Sequence, residues 1–172
     1  ASVDFNRGHF FVSGVRGTGK SHILASLMRG LAAKRDGSIS FVFTPRPNFI
    51  STIEGLHNVA VGVSACETQL EEIISRLPDS HDDMPDVYFF IDDVDDLAEG
   101  TFASQLSILM GVLRQKLHII TAGDPSVYAR AYSGWLSEVK KPKSGLLLRP
   151  DPLNDGDLAG VKLRLLPGQT FP

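Results

Sequence analysis

Eight consecutive residues, Gly14-Val15-Arg16-Gly17-Thr18-Gly19-Lys20-Ser21, constrain this chain more than any other segment. They fit the pattern G-x-x-x-x-G-K-[ST] at every fixed position. The pattern has a physical purpose. A phosphate group needs several backbone N–H donors converging on one point. Gly14, Gly17 and Gly19, with Thr18 between the last two, let a chain wrap around such an anion without side-chain clashes. A helix starting near Lys20 aims its positive end at the same place. Lys20 then reaches the β- and γ-phosphates of ATP, and the Ser21 hydroxyl ligates Mg²⁺. Arg16, at a variable position, reads equally well as a solvent-facing residue or a phosphate contact. The flanks supply the context the motif requires. His9–Ser13 reads as a buried strand, and Ile23, Leu24, Leu27, Met28 and Leu31 recur at helical spacing.

The rest of the chain continues this alternation. Asp36-Gly37 ends the first helix, and Ser38–Thr44 is a strand stopped by Pro45 and Pro47. Val59–Val63 is a short strand. Ser64-Ala65-Cys66-Glu67 predicts a capping box, ahead of a helix striped by Leu70, Ile73, Ile74 and Leu77. Pro78–Pro85 is an acidic loop. Val87–Ile91 is apolar except for Tyr88, as in the middle of a parallel sheet. Leu106, Leu109, Met110 and Leu113 mark a helix, Leu117–Ala122 a strand, and Pro125–Leu136 a further helix. Leu146–Leu148 and Val161–Leu165 read as strands around the polar loop Asp151–Gly160. The expectation is an α/β fold: a P-loop domain with a mostly parallel β-sheet flanked by helices on both faces. The 172 residues suit one domain, 1–172. Its start at Ala1 and its stop at Pro172 carry no recognisable terminus, which suggests a fragment of a longer multi-domain protein.

Asp86–Asp93 reads D-V-Y-F-F-I-D-D, an apolar run ending in acid. An acid leaving the end of a central strand beside a phosphate loop describes the Walker B strand. Asp92 is expected to hold the magnesium, partly through water. Asp93 stands where many P-loop ATPases carry glutamate to orient the attacking water. It can serve as the catalytic base, but it is one methylene shorter, and base work requires hydrogen-bond contact with the water. Slow hydrolysis is therefore expected. Asp95 and Asp96 read as loop or helix-cap acids. Thr121 ends a strand where related ATPases often place a γ-phosphate sensor, and a turn threonine reads the same way. Arg114 and Arg130 are candidate arginine fingers for a neighbouring subunit.

Composition excludes some classes. Hydrophobic residues make up 42% and charged residues 22%, the balance of a globular domain. Cys66 stands alone and cannot form an internal disulfide. No apolar run approaches the roughly 18 residues that span a bilayer, and Phe10–Val12 is too short for a signal-peptide core. Residues 1–113 carry 8 Lys/Arg against 15 Asp/Glu, a balance of −7, and residues 114–172 carry 9 against 5, a balance of +4. The basic charges are scattered; only Lys140, Lys141 and Lys143 sit close together, which counts against nucleic acid as the partner.

On these residues the chain resembles the FtsK/SpoIIIE ATPases, and most closely the tandem ATPase domains of the EccC/EssC proteins of type VII secretion. The resemblance rests on Phe11–Ser21, on Val87–Leu97, on Leu117–Gly123, on Ser144–Arg149 with Asp151, and on Asp155–Leu158 with Pro167-Gly168. It implies a RecA-like sheet, ATP and Mg²⁺ as cofactors, and assembly with neighbouring ATPase modules or in hexamer-type homo-oligomers. It further implies a role at the cytosolic face of the cell membrane in secreting small helical proteins, with membrane contact made by other parts of the protein. The alternative it leaves is a DNA translocase domain. Asp92-Asp93 looks like the later, poorly hydrolysing EccC/EssC modules rather than the Asp-Glu pair of the DNA translocases. Gln169 departs from the family pattern, which usually has an arginine after the closing Pro-Gly.

Overall fold

The computed structural model describes residues 8–33, 37–53, 56, 58–78 and 84–163. These form a six-stranded sheet in which each pairing is parallel. The strands are β1 (Phe10–Gly14), β2 (Ile39–Thr44), β3 (Val59–Val61), β4 (Val87–Ile91), β5 (Leu117–Gly123) and β6 (Gly145–Leu148), in the spatial order β3-β2-β4-β5-β1-β6. The helices are α1 (Lys20–Ala32), α2 (Val63–Ser75), α3 (Gly100–Leu113), α4 (Pro125–Arg130) and α5 (Gly134–Lys140).

The period-two alternation of the strands divides the core. Val87, Phe89 and Ile91 point to one face of β4, where they meet Leu70 of α2, Phe102, Leu106 and Leu109 of α3, and Trp135 of α5. Tyr88 and Phe90 point to the other face and meet Leu24, Met28 and Leu31 of α1. All residues of β4 and β5 are buried, which explains their unbroken apolar runs. The expected α/β architecture, with helices on both faces, is thus the observed one. His9 does not join β1, but its Nδ1 accepts from Ile119 N at 3.2 Å and extends the pairing by one residue. That role needs a neutral ring, and burial holds His9 down at about 4.

Three local expectations need correction. The helix expected over 125–136 is broken: α4 ends at Arg130 and α5 starts at Gly134, whose left-handed φ of 73° cannot lie in the interior of one continuous α-helix. The capping box at Ser64 does not form at the helix start, because α2 begins at Val63 with Gly62 as its N-cap and Ser64 falls inside the first turn. Val161–Leu163 is not a strand. Val161 N instead donates to Gly156 O at 3.0 Å, closing a turn after the 3₁₀ segment Gly156–Ala159. Arg164, Leu165, Asp36, the Pro167-Gly168 pair, Gln169 and most of the acidic loop lie outside the described residues.

The edge strand β6 is placed by a close approach. Phe11 pairs in register with Gly145, and a Cβ on Gly145 would lie 2.5 Å from the buried Phe11 ring. Gly145→Ala is expected to cost about 1–3 kcal/mol as an overpacking substitution. Its Tm should fall by roughly 2–12 °C. Gly111→Ala, in an exposed part of α3 where an added Cβ meets nothing within 4 Å, should be stabilising by about 0.5–1 kcal/mol. Thermal denaturation of the pair checks the opposite signs.

Candidate functional site

Because the strands are parallel, their C-terminal ends share one rim. The phosphate-loop pattern leaves the end of β1, and Asp92 leaves the end of β4, one strand away across β5. Gly17 and Gly19 adopt φ of 82° and 91°, left-handed values that side chains disfavour. Gly14 has an ordinary φ but no room: an added Cβ would lie 2.6 Å from Thr18 Oγ1 and 2.9 Å from Leu148 Cβ. Gly19 is the N-cap of α1 and its carbonyl accepts from His22 N and Ile23 N, so the Lys20 and Ser21 amides precede the first hydrogen bond of the helix. Thr18 Oγ1 donates to Val15 O at 2.8 Å and tightens the turn. Lys20 Nζ donates to Gly14 O at 2.7 Å and Val15 O at 3.2 Å, which keeps the ammonium inside the loop.

Ser21, on the first turn of α1, donates from Oγ to Asp92 Oδ2 at 2.6 Å. This bond joins the phosphate loop to the acidic strand end across 71 positions of sequence. Asp92 has no solvent exposure. Its Oδ1 is buried with no hydrogen-bond partner among the described residues. Burial raises the Asp92 carboxyl above the ordinary carboxylate range, and the Ser21 hydroxyl opposes that shift. A buried carboxylate with an unpartnered oxygen, next to a serine hydroxyl and a glycine-rich turn at a helix N-terminus, fits a hard divalent cation beside a phosphate.

A family profile described as an AAA domain matches residues 3–130. The chain belongs to the AAA domain family. Members of this family bind nucleotide, typically with Mg²⁺. No curated protein sequence matches the chain significantly. Several solved structures share the fold of this AAA domain. The cytoplasmic domain of the Thermomonospora curvata type VII secretion ATPase EccC superposes with a TM-score of 0.68 at 22% identity, over 96% of this chain and 22% of that one. ATPases 2 and 3 of the same EccC, solved in complex with a signal sequence peptide, give 0.69 at 20% identity, over 100% of this chain and 34% of that one. EssC ATPases 2 and 3 from Geobacillus thermodenitrificans give 0.63 at 13% identity, over 98% of this chain and 33% of that one. The AAA domain therefore has the fold of those ATPase domains and spans about a fifth to a third of their length. No helix among its described residues is long and apolar enough to cross a membrane.

Other residues singled out in the sequence fall around this centre. Asp93 adopts φ 48° and ψ 51°, and turns the chain into the 3₁₀ segment Val94–Asp96. Thr121 is fully buried, level with Phe11 and Ile91 in the register. Its Oγ1 accepts from Tyr128 Oη at 2.9 Å, so its hydroxyl engages α4. Asp95 Oδ2 accepts from Asp124 N at 3.3 Å, and Asp96 pairs with Arg46. Arg130, in α4, lies just past the C-terminal end of β5. Arg114 precedes β5, at the opposite end of the sheet from the phosphate loop. Both arginines are exposed.

Asn48 escaped the sequence reading, where it sits unremarked after a proline-flanked stop. Its Nδ2 donates to Asp92 Oδ2 at 2.9 Å and to Thr44 Oγ1 at 2.8 Å. The available signal was Thr44, a polar residue closing the strand that neighbours β4, but only the strand order gives it meaning.

The raised Asp92 carboxyl has a consequence for stability. Being raised, it contributes stability that is present below the ordinary carboxylate range and lost as pH rises through Asp92's own value. Asp92→Asn should therefore melt higher than the wild type near neutral pH without metal. The difference should shrink on acidification. With Mg²⁺ and ADP the order should reverse, because only the wild type gains from the cation. Thermal melts from about pH 4 to about pH 8, in EDTA and in Mg²⁺-ADP, test this. An Asp92→Asn protein less stable than wild type at neutral pH in EDTA would refute it.

Proposed function

We propose that this domain binds Mg-ATP and works as an ATPase module of a type VII protein secretion translocase. The observation that carries the binding is the 2.6 Å bond from Ser21 to Asp92, with Asp92 Oδ1 left open and buried beside the phosphate loop. Gly14, Gly17, Thr18 and Gly19 shape the loop for the phosphates. Lys20 stands as a mobile point charge that exchanges Gly14 O and Val15 O for phosphate oxygens. Ser21 and Asp92 would hold Mg²⁺, which supplies charge neutralisation across the phosphates when bound. Asp93 is the candidate base and Thr121 the candidate γ-phosphate sensor. Asp93 directly follows Asp92 in the chain, and its side chain is one methylene shorter than the usual glutamate, which favours slow turnover.

The secretion role rests on the shared fold with EccC and EssC and on the motifs that resemble them. On this reading the partners are neighbouring ATPase modules or further copies in a hexamer-type assembly, together with small helical secreted substrates. The place of work is the cytosolic face of the membrane. A DNA translocase role would require salt-sensitive duplex binding, and the exposed acids at the sheet rim disfavour it.

Titration of the purified protein with Mg-ATP, following binding and phosphate release together, tests the proposal. Lys20→Ala should weaken binding by at least about a hundredfold, since it removes a charge-assisted contact to two phosphates. Unchanged affinity would refute the phosphate-loop assignment. Release that disappears in Asp93→Ala would mark a working motor with Asp93 as its base. Binding without release, alone and with neighbouring modules, would leave a nucleotide-gated docking module.

A further inference from the structure

The amide of Asn48 is held in one orientation. Its Oδ1 accepts from Ile50 N at 2.9 Å and Ser51 N at 3.4 Å, forming an Asx turn. Its Nδ2 donates to Thr44 Oγ1 and to Asp92 Oδ2. Flipping the amide would set oxygen against the carboxylate and NH₂ against two backbone donors, so the network admits only this arrangement. The surrounding loop is fixed from both sides. Arg46 Nε donates to Asp96 Oδ2 at 2.7 Å, and Phe49 stacks on His22 of α1 with ring centroids 4.4 Å apart. Ser51 Oγ donates to Asn48 O at 2.7 Å.

The effect falls on Asp92. Its Oδ2 takes two donors, Ser21 Oγ and Asn48 Nδ2, which fixes the plane of the carboxylate. Its Oδ1 is left as the buried, unpartnered acceptor. An amide does this without neutralising the acid, whereas a lysine at the same place would cancel the charge that attracts a cation. We infer that Asn48 is a positioning residue that orients Asp92 toward the divalent cation, and so sets how strongly nucleotide binding depends on metal. This rests on the Mg-nucleotide reading of the site.

The test compares ADP affinity in excess Mg²⁺ and in EDTA by isothermal titration calorimetry. Wild type should bind more tightly with Mg²⁺. Asn48→Ser keeps an oxygen for the turn at Ile50 but is too short to reach Asp92. It should lose about tenfold of the Mg²⁺-dependent gain, in the range for removing an outer-shell partner of a metal ligand. Its metal-free affinity should stay within about twofold of wild type. Ser51→Ala loosens the same turn and leaves the amide donor, so it should keep the wild-type ratio. Equal losses in both buffers would mean a merely structural role and overturn the inference, as would an unchanged ratio. Asn48→Ala provides a second reading of the same ratio, and failure of both Asn48 variants to fold would also overturn it. A wild type with no Mg²⁺ preference would refute the Mg-nucleotide reading itself, whereas a wild type that prefers Mg²⁺ beside an indifferent Asn48→Ser refutes this inference alone.

Discussion

A carboxylate with no solvent exposure costs several kcal/mol unless its surroundings replace water, and Asp92 is the place where this protein meets that cost. The replacement is partial. Two donors reach Oδ2, from Ser21 and Asn48, while Oδ1 has none among the described residues. The backbone is committed as well: Asp92 N donates to Phe43 O at 3.0 Å, which extends the β2–β4 pairing one residue past the end of the strand. Three separate elements therefore converge on one residue: the start of α1, the end of β4 and the loop after β2. A cation would complete the arrangement.

The apolar layer beneath the site is unusually aromatic. Phe43 packs edge-on against both Phe89 and Phe102, and Phe102 in turn meets Trp135. This chain of rings runs from β4 through β2 to α3 and α5, in the strands whose ends carry Thr44 and Asp92. Large rigid side chains in contact leave few alternative packings. Tyr128 extends the layer toward Phe11, and its hydroxyl reaches Thr121. Burial raises the Tyr128 phenol well above its ordinary value, so it stays a protonated donor to Thr121.

Much of this was legible in the sequence, for reasons of period and spacing. The phosphate loop is contiguous, so its chemistry can be read from eight letters. The central strands are buried on both faces, and their unbroken apolar runs announce it. Asp92 follows because its strand has nowhere else to end. The failures share a different cause. Val161–Leu163 alternates like a strand, but a local hydrogen bond from Val161 N to Gly156 O closes a turn there instead. The helix over 125–136 contains Ser133-Gly134, a stop signal that a run of helix-compatible neighbours concealed. Asn48 was unreadable because its function depends on which strand lies next to β2. Local letters say turn; only the sheet order turns that turn toward Asp92.

The pairing of β6 with β1 has a mechanical side. Gly14, the first residue of the phosphate loop, is the register partner of Leu148, and Leu148 presses against the space a Cβ on Gly14 would need. Beyond Leu148 the chain leaves the sheet at Arg149, which adopts a left-handed φ of 49°. The 3₁₀ segment that follows packs Leu158 and Ala159 against the same core cluster that holds the aromatic rings, so the described chain after β6 stays tied to the sheet. β6 is a short edge strand of four residues, held on one side only. A shift of β6 along β1 would therefore meet two steric stops at once, the Phe11 ring over Gly145 and Leu148 against Gly14.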